Sequence, residues 1–126
     1  MDEFIQKMPK VELHVHIEGT ILPSTLLHLA NKHQIKLPAQ NEEQLREWYK
    51  FVGFGHFVDV YMKICECIQT AEDIEYVCCE FLKGQAAQNI VYSEATWTPH
   101  THYTQKGRSY FFLMMKELTF FSVIDF

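Results

Sequence analysis

Two imidazoles and a carboxylate fall on alternate residues in Leu13-His14-Val15-His16-Ile17-Glu18-Gly19-Thr20. Histidine and carboxylate side chains hold divalent metals and move protons near neutral pH. In an extended chain, residues i and i+2 share a face with Cα atoms about 6.5–7 Å apart. His14 and His16 can therefore lean toward one ion, about 2.0–2.1 Å from a nitrogen of each ring. A strand with one solvated face shows the same alternation without any metal, and the spacing alone does not separate the two readings. Position favours chemistry: the segment is the first strand, it ends in Glu18-Gly19-Thr20, and a helix follows at once. Catalytic groups collect at the carboxyl ends of strands in parallel barrels.

The elements that must position these groups follow from periodicity. Val11, Leu13, Val15 and Ile17 take one face of the first strand and meet helices, while Glu12, His14, His16 and Glu18 take the other. Gly19 ends the strand. Pro23 suits the first turn of a helix whose apolar stripe is Leu22, Leu26, Leu29 and Ala30. Lys36-Leu37-Pro38 stops that region, and residues 42–49 form a short second helix. Phe51-Val52-Gly53-Phe54-Gly55 is an aromatic hinge leading to a third helix, with Phe54, Phe57, Val58, Tyr61, Cys65 and Ile68 in register. Thr70-Ala71-Glu72-Asp73 reads as a capping box with Asp in place of Glu or Gln. The fourth helix carries Ile74, Val77, Cys78 and Phe81 toward Gln85, and Asn89 closes it. Residues 90–97 are the second strand, with Glu94 sharing a face with Tyr92 and Thr96 in a structural hydrogen-bonding role. Pro99 ends it, leaving His100 and His102 on a polar loop. The order strand, helices, strand, possible helix is the start of an α/β protein with parallel strands.

Composition is that of an ordinary globular protein: 126 residues, 48% apolar, 21% charged, net charge −5. The mild acidity gives no support for a nucleic-acid or membrane partner, which needs a basic face. The acidic start Met1-Asp2-Glu3-Phe4 is not a secretion signal, and Tyr110–Met115 is too short for a span, so the expected address is cytoplasmic. Cys65, Cys67, Cys78 and Cys79 lie in helical pattern, where neighbours point apart, and read as reduced, half-buried thiols. His28, His33 and His56 have no partner in the pattern.

Residues 8–20, Met-Pro-Lys-Val-Glu-Leu-His-Val-His-Ile-Glu-Gly-Thr, resemble the opening signature of the adenosine deaminase family, metal-dependent aminohydrolases of the amidohydrolase group on a (β/α)₈ barrel. The likeness continues through Phe51-Val52-Gly53-Phe54 and Phe57, Thr70–Asp73, Val91-Tyr92-Ser93-Glu94 and Trp97-Thr98-Pro99, covering residues 8–107. It implies that His14 and His16 are two ligands of one divalent metal, zinc first among ions that paired imidazoles suit. Glu18 falls where many members carry an Asp that contacts ribose. A Glu followed by Gly-Thr resembles the branch acting on adenine or modified adenine nucleosides, so Glu18 and Gly19 are implied to bind the purine. Gly19 leaves room for backbone to approach the base. The segment 51–57 resembles a flap over the purine, although a packing corner has the same pattern.

The fold class expected is therefore α/β, the N-terminal part of a (β/α)₈ TIM barrel, truncated. A barrel takes about 250 residues, and two strands cannot close one. Residues 1–107 read as the opening of the barrel domain, and residues 108–126 as an aberrant or truncated tail whose apolar runs could drive self-association. The third His ligand and the proton-transferring Glu of the family are not identifiable, so no catalytic residue is assigned. The reaction implied is hydrolytic deamination of adenosine or a related 6-aminopurine, with this chain an inactive fragment. The alternatives are another His-x-His metallohydrolase, amidohydrolase or phosphoesterase, and a non-catalytic truncated product.

Overall fold

A computed structural model describes residues 2–106. A short helix α1 (Asp2–Lys7) precedes strand β1 (Lys10–His16), which runs into one 3₁₀ turn, Ile17–Thr20. Four helices follow: α2 (Pro23–Lys32), α3 (Glu42–Trp48), α4 (Phe54–Cys67) and α5 (Ala71–Ala87). Strand β2 (Ile90–Thr96) then lies parallel to β1, and α6 (Pro99–Lys106) completes the described chain. This is the expected α/β order, with a parallel pair joined through helices. The apolar runs of residues 108–126 lie outside the described residues.

Local chemistry sets the helix boundaries. Pro23 occupies the first turn of α2, where its fixed φ suits a helix and its missing N–H costs nothing. Asn41 caps α3 by accepting the Gln44 N–H. The capping box of α5 forms as read: the Thr70 hydroxyl accepts the Asp73 N–H, and Asp73 accepts the Thr70 N–H. Asn89, at φ 56°, takes the left-handed position that stops α5. Helix α1, to which the sequence reading assigned nothing, is held by the Lys10 ammonium, which donates to the carbonyls of Ile5 and Met8 at 2.7 and 2.8 Å.

The core lies between the strands and the helices. Leu26 and Leu29 of α2, Leu45 of α3, Ile64 of α4 and Ile74 and Val77 of α5 close on Ile17, Ile21 and Ile68. Burial of α4 is confined to its C-terminal half, Ile64, Cys65 and Cys67. Phe54, Phe57 and Val58, expected on the buried stripe, are exposed together with Phe51 and Val52. Cys65 and Cys67 are buried more deeply than half-buried thiols, while Cys79 is exposed.

The strict alternation expected for β1 is broken by a bulge. Glu12 pairs with Ser93 and Val15 with Ala95, so Leu13 and His14 together stand opposite Glu94. The extra residue is taken up at His14, whose φ is 61°. One inserted residue reverses the parity of a strand. Glu12 therefore faces the helices, where the Gln85 amide donates to it at 2.7 Å and the Ser93 hydroxyl donates to Gln85 at 2.6 Å. Val11 and Leu13, expected beneath the helices, are instead 61% and 58% exposed. Val15 and Ile17 alone keep the buried face.

Candidate active site

His14 and His16 converge at the carboxyl end of β1. Their ring centroids are 5.4 Å apart, with planes inclined at 61°. Two imidazoles bound tetrahedrally to one ion, at about 2.0–2.1 Å per nitrogen, have centroids about 5 Å apart. The donor set and its spacing thus fit two ligands of a single divalent metal. Among the described residues, no group of three or more His, Cys, Asp or Glu gathers around one point.

Both rings line an open cleft of about 490 Å³ shared with Gly19, Thr20 and Leu22 and bounded across from them by Glu80, Phe81 and Gly84 of α5. Ligand sites of small molecules typically occupy about 300–1,000 Å³. A Cβ placed on Gly19 would meet nothing within 4 Å, so the space over this residue is open. A larger groove beside Trp48 and Met62 lies apart from the histidines.

Glu18, one residue beyond Ile17 in the 3₁₀ turn, is fully buried at 0% exposure. Its Oε1 accepts the Thr98 N–H at 2.7 Å, tying the turn after β1 to the two-residue link between β2 and α6. Its Oε2 has no hydrogen-bond donor among the described residues. Burial pushes the nearby Tyr61 hydroxyl up to about 12; a hydrogen bond with Thr98 opposes that rise and the charge of Glu18 adds to it.

The polar loop expected at residues 99–103 is helix α6. Proline after Thr98 starts a helix here, because its preset φ fits the first turn. Thr98 accepts the Thr101 N–H at 3.2 Å. The helical repeat sends His100 out to solvent and His102 inward, to 3% exposure. The His102 ring stacks on Trp97 at 4.4 Å and 9°, with Nε2 3.5 Å from Glu18 Oε1. His102, expected on a polar loop, is instead a buried residue of α6; the signal available was Thr-Pro, a helix start as well as a strand end. Glu94 lies on an exposed face and accepts a hydrogen bond from the Tyr92 hydroxyl at 2.9 Å, the structural role expected.

The other histidines acquire neighbours that the pattern did not show. His33 Nε2 lies 2.7 Å from Asp73 Oδ2, beside the Lys32 ammonium at 2.6 Å from Oδ1. His28 rests on Tyr76 at 4.7 Å, and His56 meets Trp48 edge-on at 6.2 Å. These contacts join helices at a distance from the cleft in sequence, and nothing short of the packing reveals them.

The family model for adenosine deaminase matches residues 9–125. An adenine deaminase of Vibrio parahaemolyticus is 36% identical over 107 residues, 85% of this chain and 32% of that protein. The crystal structure of adenine deaminase from Arthrobacter aurescens superposes with a TM-score of 0.70 at 34% identity, over 77% of this chain and 30% of that one. An amidohydrolase of Burkholderia ambifaria, determined with bound zinc, gives a TM-score of 0.70 at 24% identity, over 86% of this chain and 29% of that one. The chain spans about a third of the length of the curated relatives it matches. Its two parallel strands and their helices correspond to a portion of the deaminase barrel. No helix among the described residues is long and apolar enough to cross a membrane. By its opening strand, its fold and its likeness over residues 9–125, the chain belongs to the adenosine deaminase family.

Proposed function

We propose that this chain carries the opening part of a cytoplasmic metal-dependent deaminase for adenine or a closely related 6-aminopurine. The observation that carries the reading is the His14–His16 pair, two imidazoles at the spacing of ligands to one ion, beside an open cleft of purine-accommodating size. In this reading His14 and His16 hold zinc, and Glu18 and Gly19 form the floor of the purine subsite. A bound divalent ion supplies Lewis acidity to hydrolysis. Gly19 leaves space for a flat ring to approach the backbone. The remaining ligands and the proton-transferring groups are to be sought outside the described residues.

Glu18 favours adenine over adenosine. One carboxylate oxygen is already bonded to the Thr98 N–H, and the other, Oε2, has no donor among the described residues and suits a single N–H of a free base. The named relatives that act on adenine support the same choice.

The test uses the full 126-residue chain loaded with zinc. Zinc uptake is expected to fall on His14→Ala and on His16→Ala. Added adenine is expected to shift the backbone amides of Gly19 and Thr20 at lower concentration than adenosine does, and ammonia release is assayed alongside. Undiminished zinc uptake by both variants refutes the metal site. Equal or tighter adenosine binding refutes the choice of base, and phosphate release from simple esters assigns the chain to phosphoesterase chemistry instead.

A further inference from the structure

Among the described residues, the Glu18 carboxylate makes one hydrogen bond and has one imidazole edge at ion-pair distance. The Thr98 N–H takes one oxygen at 2.7 Å. Above that same oxygen stands His102 Nε2 at 3.5 Å, on a different helix. The imidazole cannot turn freely, because it lies parallel to Trp97 at 4.4 Å and is 3% exposed. The second oxygen of Glu18 is buried and lacks a donor among the described residues. Unsatisfied buried carboxylate oxygens are costly, and they persist where a ligand completes them.

We propose that His102 is a positioning residue for Glu18. Its ring, held flat by Trp97, fixes the carboxylate so that Oε1 stays on Thr98 and Oε2 alone remains for a ligand N–H. The ligand class that this suits is a free purine base, which carries a ring N–H where a nucleoside carries its sugar. That last step rests on the function proposed above; the positioning of Glu18 by His102 does not.

The experiment therefore has two arms. In the first, amide hydrogen exchange is followed by NMR in the full chain for His102→Phe, which keeps a ring to stack on Trp97 but has no polar edge, and for His102→Gln, which restores an N–H donor. Exchange at Thr98 is expected to quicken about tenfold in His102→Phe and to return within about twofold of the original in His102→Gln, with Leu29 and Val77 in the core unchanged. Unchanged Thr98 exchange in His102→Phe overturns the proposal, and so does quickening spread evenly through the core. If His102→Phe does not fold, Trp97→Phe with His102 intact takes its place, and failure to alter Thr98 exchange is equally fatal. In the second arm, the adenine-induced shifts at Gly19 are expected to need about tenfold more adenine in His102→Phe, with rescue by His102→Gln. A first arm that succeeds while the original chain ignores adenine leaves His102 in place and removes the proposed function.

Discussion

Asp73 is the most heavily bonded carboxylate among the described residues, and its removal gives a quantitative test of what joins α2 to α5. Its side chain has no solvent-exposed surface, and it receives the Lys32 ammonium at 2.6 Å, His33 at 2.7 Å and the amides of Gln69 and Thr70 at 2.8 Å each. Burial pushes the carboxyl up, but Lys32, the two amides and His33 outweigh it and hold the group down at about 2, from an ordinary 3.8. A depression of that size corresponds to about 2 kcal/mol of stability at neutral pH. Because the folded value lies below the unfolded one, this contribution is present above about pH 5 and is lost as pH falls toward 2. Asp73→Asn keeps an oxygen for the backbone amides but presents an NH₂ group to Lys32 and removes the charge. Urea unfolding followed by circular dichroism at pH 7 is expected to show a loss of about 2 kcal/mol with an unchanged denaturant slope. The difference between the two proteins should shrink steadily below pH 4, since the original chain surrenders there what the variant already lacks. A difference equally large at pH 2.5 and pH 7 would show that Asp73 acts through packing or capping and not through its charge.

His14→Gly and His14→Ala both remove the imidazole, and both are expected to lose zinc uptake. The glycine variant should be the more stable by about 1 kcal/mol in thermal unfolding, because the φ of 61° strains alanine but not glycine; the opposite order would mean that β1 is extended there without a bulge. Gln85→Leu strands the Glu12 carboxylate and the Ser93 hydroxyl and is expected to cost about 2 kcal/mol in urea unfolding, with most of it recovered in the Glu12→Leu, Gln85→Leu double variant. Additive losses in the double variant would refute the bridge between β1, α5 and β2.

Much of the fold was legible because its boundary signals are local. Pro23, the Thr70–Asp73 box and Asn89 each act within a few residues, and each sits where its chemistry requires. The histidine pair was legible for a similar reason, since two imidazoles two residues apart cannot be far separated in an extended chain. Facing was less readable. An alternating pattern fixes two faces only while the strand has no extra residue, and nothing in Leu13-His14 announces one. Long-range polar partners were invisible for a stronger reason. His33 with Asp73, Glu12 with Gln85 and Glu18 with Thr98 are separated by 40, 73 and 80 residues, and their pairing is a product of the assembled helices.

The bulge also explains how one short strand can satisfy two incompatible demands. Under strict alternation Glu12 would share the open face with His16, leaving the Gln85 amide without its acceptor in the helix layer. Inserting one residue puts Glu12 among the helices and still delivers Val15 and Ile17 to the core and His16 to the open side. The strain of that insertion is concentrated at His14, a residue type that tolerates the left-handed region better than β-branched neighbours such as Val15. Strained backbone of this kind persists where its surroundings over-determine it, and here they do: β2 fixes Glu12 and Val15 on either side through Ser93 and Ala95. The histidine whose ring approaches His16 is thus also the hinge on which the strand changes face, so its position is set by packing before any ion is bound.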